Sequence, residues 1–274
     1  MITVGSVLFV LVVWSLYKWS EREGVKEVED NIWDYIQAGI VLVILALPVL
    51  REYRAPALFF ISTDHVRENK GFWWDVLYRE RTARGASPER VCREGLGMKS
   101  KTSEQIEAKL RAEFGANAFT PRGDIDRPFS PAELRDFARA PHVHLGNHTA
   151  NHAILTNYTA DESRAQIRKA QESLAEMTGV CPRAIAYPNG AHSDAIVRTC
   201  RDLGLELGFT IAPVKNPIPV DAHSLNALRL GRFAPHDKIP IEIQCRTYRS
   251  DLLLYSTFRA AYLRLVRGYG RDAV

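Results

Sequence analysis

Two histidines four residues apart, in His148-Thr149-Ala150-Asn151-His152, have the type and spacing best suited to chemistry. At i and i+4 two imidazoles fall on one face of a helical turn and can share one metal ion. A pair of hydrogen-bonding histidines in a loop is the competing reading, and spacing alone does not separate the two. A zinc protease would set a glutamate beside the first histidine as general base; Thr149 stands there and cannot serve. His142 and His144, just upstream, would alternate along a strand in structural roles. The second candidate is Tyr187-Pro188-Asn189-Gly190, a strand end entering a tight turn. Gly190 opens backbone conformations closed to other residues, and Pro188 fixes the entry. Such a turn can aim N–H groups at one point, as an oxyanion site requires. Turns of this composition are common, so the motif carries weight only in context.

The surrounding pattern places both motifs at strand ends. Ala57 to Thr63 (ALFFIST), Val143 to Gly146, Ala184 to Tyr187 and Gly208 to Ala212 read as short core strands. Helices are expected over Ala46 to Tyr53, 72 to 84, Ser103 to Phe114 with Ser103 as N-cap, from Ser130-Pro131-Ala132-Glu133, over Thr159 to Thr178 with Gly179 closing it, and over Ser193 to Leu203. Strands alternating with helices of this length imply parallel β/α units, whose chemistry sits at the carboxyl ends of the strands.

Composition narrows the class. With 274 residues, 46% hydrophobic and 25% charged, the chain can bury a large core, which excludes a disordered chain and a small disulfide scaffold. A net charge of +4 without any basic run interleaved with aromatics gives no ground for nucleic-acid binding. Cys92, Cys181, Cys200 and Cys245 form no Cys-x-x-Cys pair and read as free, partly buried thiols, with two disulfides as the alternative for an exported domain.

The amino-terminal stretch differs in character. Ile2 to Trp19 (ITVGSVLFVLVVWSLYKW) is nearly all apolar and close to the roughly 20 residues that cross a bilayer, so an uncleaved membrane anchor is expected there. A chain without that anchor would be cytoplasmic. The expected organisation is an anchor and polar linker over 1–30, an α/β domain over 31–255 and a helical tail over 256–274. A second apolar run, Ala38 to Leu50, is short for a span and reads as a strand followed by a helix, with a two-span membrane hairpin as the alternative.

The order strand–HTANH–long helix–Gly–strand–AYPNG–helix resembles the polysaccharide deacetylases of the NodB-homology type, carbohydrate esterase family 4. The match runs over roughly residues 46 to 250 and includes ALPVLREYRAPALFFIST and LGLELGFTIAP. The resemblance implies an irregular (β/α) barrel, a divalent metal ion, zinc by expectation, and hydrolysis of N-acetyl groups on an N-acetylated polysaccharide or oligosaccharide. Carried over, His148 and His152 become metal ligands. Pro188 and Gly190 shape the groove, Asn189 offers the oxyanion N–H, Tyr187 packs at the groove wall and Thr149 orients the loop.

The family's first motif, Thr-Phe-Asp-Asp-Gly, has no counterpart. Its window reads Asp34-Tyr35-Ile36-Gln37-Ala38-Gly39. Asp34 is the nearest candidate base and Asp30 the next; Asp64, Asp124 and Asp126 are other carboxylates that could take the place. Ala186 stands where an arginine often precedes Pro-x-Gly, and Arg183 lies farther upstream. His236, in RFAPHD, is the candidate acid, with His223 behind it. The change of character before Ala46 leads to two expectations: catalysis lost and an anchor gained, or a shifted coding region joined to a deacetylase domain. The functional alternatives are an impaired deacetylase, a membrane-tethered inactive sugar-binding relative, and a plain zinc-binding domain. The oligomeric state is not readable.

Overall fold

A computed structural model describes residues 46–123, 126–234 and 239–249. Four strands, β1 (Ala57–Ile61), β2 (Val143–Asn147), β3 (Ala184–Ala186) and β4 (Leu207–Phe209), form one sheet in that order. All neighbours run parallel, with Ile61 beside Asn147, Asn147 beside Ile185 and Ile185 beside Gly208. A further parallel bridge joins Phe209 to Leu230. Each strand neighbours its successor, which is the order of a barrel wall; a doubly wound sheet would reverse it. The expected parallel α/β class is what the chain adopts, and the carboxyl ends of all four strands share one edge.

The helices follow the start signals. Thr159 opens α7 (Ala160–Thr178) and Ser130 opens α6 (Pro131–Ala138), each through a reciprocal capping box with a glutamate three residues on. Such caps are worth about 1 kcal/mol each. Gly179 closes α7 in the left-handed conformation. One cap differs from expectation. In α5 (Ser103–Phe114) Thr102, not Ser103, is the N-cap, because Gln105 then stands at the third helical position and returns the bond. A helix absent from the expected elements, α4 (Pro88–Met98), starts at Ser87-Pro88 with the same N-cap chemistry.

Two apolar clusters fix the sheet. One joins Leu47 and Leu50 of α1 (Leu47–Tyr53), Ile61, Leu134, Phe137, Leu145 and Leu174. The other joins Ile167, Ile185, Val197 and Cys200 of α8 (Asp194–Asp202), Leu205 and Leu228. The long helix α7 gives Leu174 to the first and Ile167 to the second, so one element clamps both. Between α2 (Thr63–Glu68) and α6 lies a helical insertion with a core of its own: Trp73, Val76 and Leu77 of α3 (Trp73–Thr82) against Val91, Met98, Ile106, Leu110 and Phe119.

The described residues divide into two compact units at Arg232 and Phe233. In the second, α9 (Ile241–Arg249) carries Tyr248, whose ring stacks on Phe233 at 4.6 Å. All four cysteines are free; Cys92 and Cys181 are exposed, against the expected partial burial, and Cys200 is buried. Among the described residues no helix is long and apolar enough to cross a membrane. The expected anchor, the linker and the tail lie outside the described residues, as do the expected boundaries at 30 and 255.

Close approach of the backbones is what Gly208 provides. A Cβ there would lie 2.4 Å from the Leu228 carbonyl oxygen and 2.8 Å from its carbonyl carbon. Backbone cannot swing aside as a side chain can. Gly208→Ala is expected to lower stability by about 1–3 kcal/mol in urea unfolding; an unchanged midpoint would show that the 3₁₀ segment Leu225–Arg229, which carries Leu228, moves freely.

Candidate metal-binding and oxyanion site

His148 follows β2 at the shared carboxyl edge. Its backbone N–H donates to the Ile61 carbonyl at 3.1 Å, extending the β1–β2 pairing by one residue. Beyond it the chain leaves the strand as a loop. Thr149 and His152 both adopt positive φ, at 61° and 49°. The helical turn expected for the two histidines is therefore not formed. The i and i+4 rings meet because left-handed residues fold the loop back, and their centroids lie 4.8 Å apart.

Positive φ is unfavourable for residues with a Cβ and needs surrounding bonds to hold it. Asn147 is wholly buried; its Oδ1 accepts the Thr149 N–H at 2.8 Å while its Nδ2 donates to the Ile167 carbonyl. Thr149 Oγ1 accepts the Ala153 N–H at 2.7 Å, fixing the loop's return. Gln166 on α7 accepts the Ala150 and Asn151 N–H groups through its backbone oxygen and its Oε1. Lys70, only 6% exposed, donates to Asn151 Oδ1 at 3.0 Å and to Glu107 Oε1 at 2.9 Å. Sequence reasoning missed Lys70, Asn147 and Gln166. A lysine in Asn69-Lys70-Gly71 carries no local signal of burial.

The His148 ring is oriented by one bond: Nδ1–H donates to the Ala186 carbonyl at 2.7 Å, at the end of β3. That leaves Nε2 with its lone pair, the form in which histidine binds metal. Burial pushes the His148 pKa down to about 4, with the Arg232 charge adding to the effect. Burial also holds His152 well below the ordinary value, followed by the effects of His148, His65 and Lys99. Both rings are thus neutral near pH 7, ready to coordinate without first losing a proton.

Aromatic rings flank the pair. His65 stacks on Phe72 at 3.9 Å, Phe72 on Trp74 at 4.6 Å, and Trp74 meets His152 edge-on at 4.7 Å. His65 donates from Nδ1 to the Lys70 carbonyl, and its pKa falls to about 3, mainly through burial.

The second motif lies on the same edge, with Tyr187-Pro188-Asn189-Gly190 directly after β3. Pro188–Gly190 is a single 3₁₀ turn with Asn189 at φ 57° and Gly190 at φ 71°. A Cβ on Gly190 would fall 2.5 Å from Ile211 Cγ1, so glycine is needed for space as well as for φ. The early N–H groups of such a turn have no acceptor within it, which leaves the Asn189 N–H suited to an incoming oxyanion. Asn189 is exposed, and its Oδ1 accepts from Lys99 Nζ at 3.1 Å. Tyr187 corrects an expectation. It is wholly buried, with its hydroxyl donating to the Leu228 carbonyl at 2.9 Å, so it belongs to the core and not to a groove wall.

The described carboxylates do not join the two imidazoles, although the Asp64 N–H donates to the Ala150 carbonyl of the same loop at 2.8 Å. Asp64 is buried and paired with Lys169 at 2.8 Å, and Asp126 accepts from Arg79 and from the Arg122 and Gly123 N–H groups. His223 sits in a turn, its N–H bonded to Asp221. His142 precedes β2 with φ 69°, so only His144 lies in the strand, where it is exposed. Asp34, Asp30, Asp124 and His236 lie outside the described residues. Among the described residues no cluster of three or more His, Cys, Asp or Glu could hold a metal ion. The two neutral imidazoles fit a divalent cation as two of its donors.

A family model described as polysaccharide deacetylase matches residues 43–208. Among solved structures, the Streptococcus pyogenes deacetylase PplD in complex with acetate is 17% identical, with 77% of this chain and 66% of that one covered and a TM-score of 0.48. The BpsB deacetylase domain from Bordetella bronchiseptica is 16% identical, covering 70% and 66%, with a TM-score of 0.44. A de-N-acetylase from Aggregatibacter actinomycetemcomitans is 13% identical, covering 87% and 88%, with a TM-score of 0.47. The chain thus spans just under two thirds of the first two. No curated protein matches it.

The lowered imidazole pKa values set a pH dependence. In the unfolded chain these histidines take up protons near pH 6.5, whereas folded His148 and His65 resist until about 4 and about 3. The unfolded state therefore binds more protons below 6.5, so stability is full above that pH and declines as pH falls toward 4. The urea midpoint of the metal-free protein should drop between pH 7 and pH 5, and drop less in a His65→Gln, His148→Asn double variant. Equal slopes for the two proteins would refute this assignment.

Proposed function

Because the chain belongs to the polysaccharide deacetylase family, we propose that it removes N-acetyl groups from an N-acetylated polysaccharide or oligosaccharide with the aid of a divalent metal ion, zinc by preference. The observation that carries this reading is the imidazole pair, 4.8 Å apart and neutral, on the same sheet edge as the Asn189 turn. His148 and His152 would hold the ion, which when bound supplies Lewis-acid polarisation of the amide carbonyl and an acidified water.

The chain's own groups do the rest. The Ala186 carbonyl keeps the His148 proton on Nδ1 and so presents Nε2 to the site. The Asn189 N–H donates to the carbonyl oxygen as negative charge builds there, and the left-handed φ of Asn189 and Gly190 aims it. Lys99, bonded to the Asn189 side chain, adds a positive charge at the same turn. General-base and general-acid roles are assigned to Asp34 and His236. Without a base, about 10²–10⁴-fold in rate would be forgone. Membrane anchoring through Ile2 to Trp19 is part of the same proposal.

A second reading is a sugar-binding relative without turnover. It is favoured by the lack, among the described residues, of a carboxylate grouped with the two imidazoles. Acetate release from N-acetylglucosamine oligomers, measured with added zinc or cobalt, decides between them. The wild-type chain is expected to release acetate, and His148→Ala to fall to the metal-free level. Equal release by both would overturn the hydrolase reading; glycan binding without release would establish the second.

A further inference from the structure

Trp74 stands out in the helical insertion. Its indole Nε1–H is buried and has no hydrogen-bond partner among the described residues. Indole nitrogen only donates, and a buried donor without an acceptor is costly. The ring is nevertheless half-buried rather than sealed in the insertion's core, and it lies against the site. It stacks on Phe72 at 4.6 Å with 15° between planes and meets His152 at 4.7 Å and 67°. One ring thus separates an unsatisfied donor from the second imidazole of the pair.

The surroundings select the acceptor. The nearest imidazole is neutral and the neighbouring rings of Phe72 and Trp73 are apolar. An oxygen carried beside a small apolar group fits these rings, and an acetamido group is that combination, a carbonyl oxygen next to a methyl. We infer that Trp74 is a substrate-positioning donor: its indole N–H donates to the acetamido carbonyl oxygen of the sugar bound at the His148–His152 pair, while the Phe72 and Trp74 rings shelter the methyl. The inference rests on the deacetylase reading and adds to it a residue from the insertion that recognises the acetyl group itself. The proton stays on nitrogen throughout, so no bond is made or broken at Trp74.

The test follows the indole N–H signals of the full-length zinc-loaded chain by ¹⁵N-labelled NMR. Five tryptophans give five such signals, and the one missing in Trp74→Phe identifies Trp74. Adding a tetramer of N-acetylglucosamine is expected to move the Trp74 signal downfield, and the matching glucosamine tetramer to leave it in place. By calorimetry Trp74→Phe should bind the acetylated tetramer about fivefold more weakly, the worth of one neutral hydrogen bond, and the glucosamine tetramer unchanged. Binding by the wild type with an unmoved Trp74 signal, or an equal shift with both tetramers, overturns this inference alone. No binding of the acetylated tetramer by the wild type overturns it together with the functional reading on which it rests.

Discussion

The bond from His148 Nδ1 to the Ala186 carbonyl, 2.7 Å long, is the constraint on which the site depends. It joins the residue after one strand to the last residue of the next, so it exists only while β2 and β3 keep their parallel register, with Asn147 beside Ile185. A slip of one residue would turn every side chain to the opposite face and carry His148 away from that carbonyl. The same bond chooses the tautomer. With the proton held on Nδ1, the free lone pair must be on Nε2, and burial keeps the ring from taking a second proton. Strand register, ring orientation and tautomer therefore meet in one contact.

His152 is held differently. It sits at positive φ, as Thr149 does, and two such residues store about 1–3 kcal/mol each. The opposing bonds come from Asn147, from Gln166 on α7 and from Lys70, which hold Thr149, Ala150 and Asn151 just before His152. Lys70 is itself fixed by Glu107, which belongs to the insertion. A buried ammonium needs such a carboxylate, since an unpaired charge at that depth would not be tolerated. The insertion thus acts as a buttress for the second imidazole, although nothing in its sequence announces that role.

What could be read from the sequence follows from how local each signal is. Thr159 to Gly179 was legible because its cap, its apolar period and its terminal glycine all lie within the helix. The strands were legible as short apolar runs, although most ended sooner than expected, since pairing and not composition sets their length. His148, His152 and the Asn189 turn were found because their spacing is short and the resemblance supplied context. Lys70, Trp74 and Asn147 were missed because their roles arise from contacts across 81, 78 and 20 residues of chain, or from burial that composition does not encode. Tyr187 was misplaced for the same reason: a tyrosine before Pro-x-Gly looks the same whether its hydroxyl faces a groove or the Leu228 carbonyl.

The insertion's several contributions are not separable. Trp74 and Phe72 flank His152, Lys99 grips Asn189, and Glu107 anchors Lys70, yet all four residues hang on one core built from Trp73, Leu77, Met98, Ile106 and Leu110. Packing of that core fixes the position of α3 relative to α4 and α5, and so fixes the aromatic rings relative to the lysine. A change that repacks it would move the Trp74 ring, the Lys99 charge at the Asn189 turn and the brace on His152 together. The geometry of the site is thereby tied to one small apolar cluster against which Trp74 itself packs, so the ring beside His152 and the lysine at the Asn189 turn are displaced together.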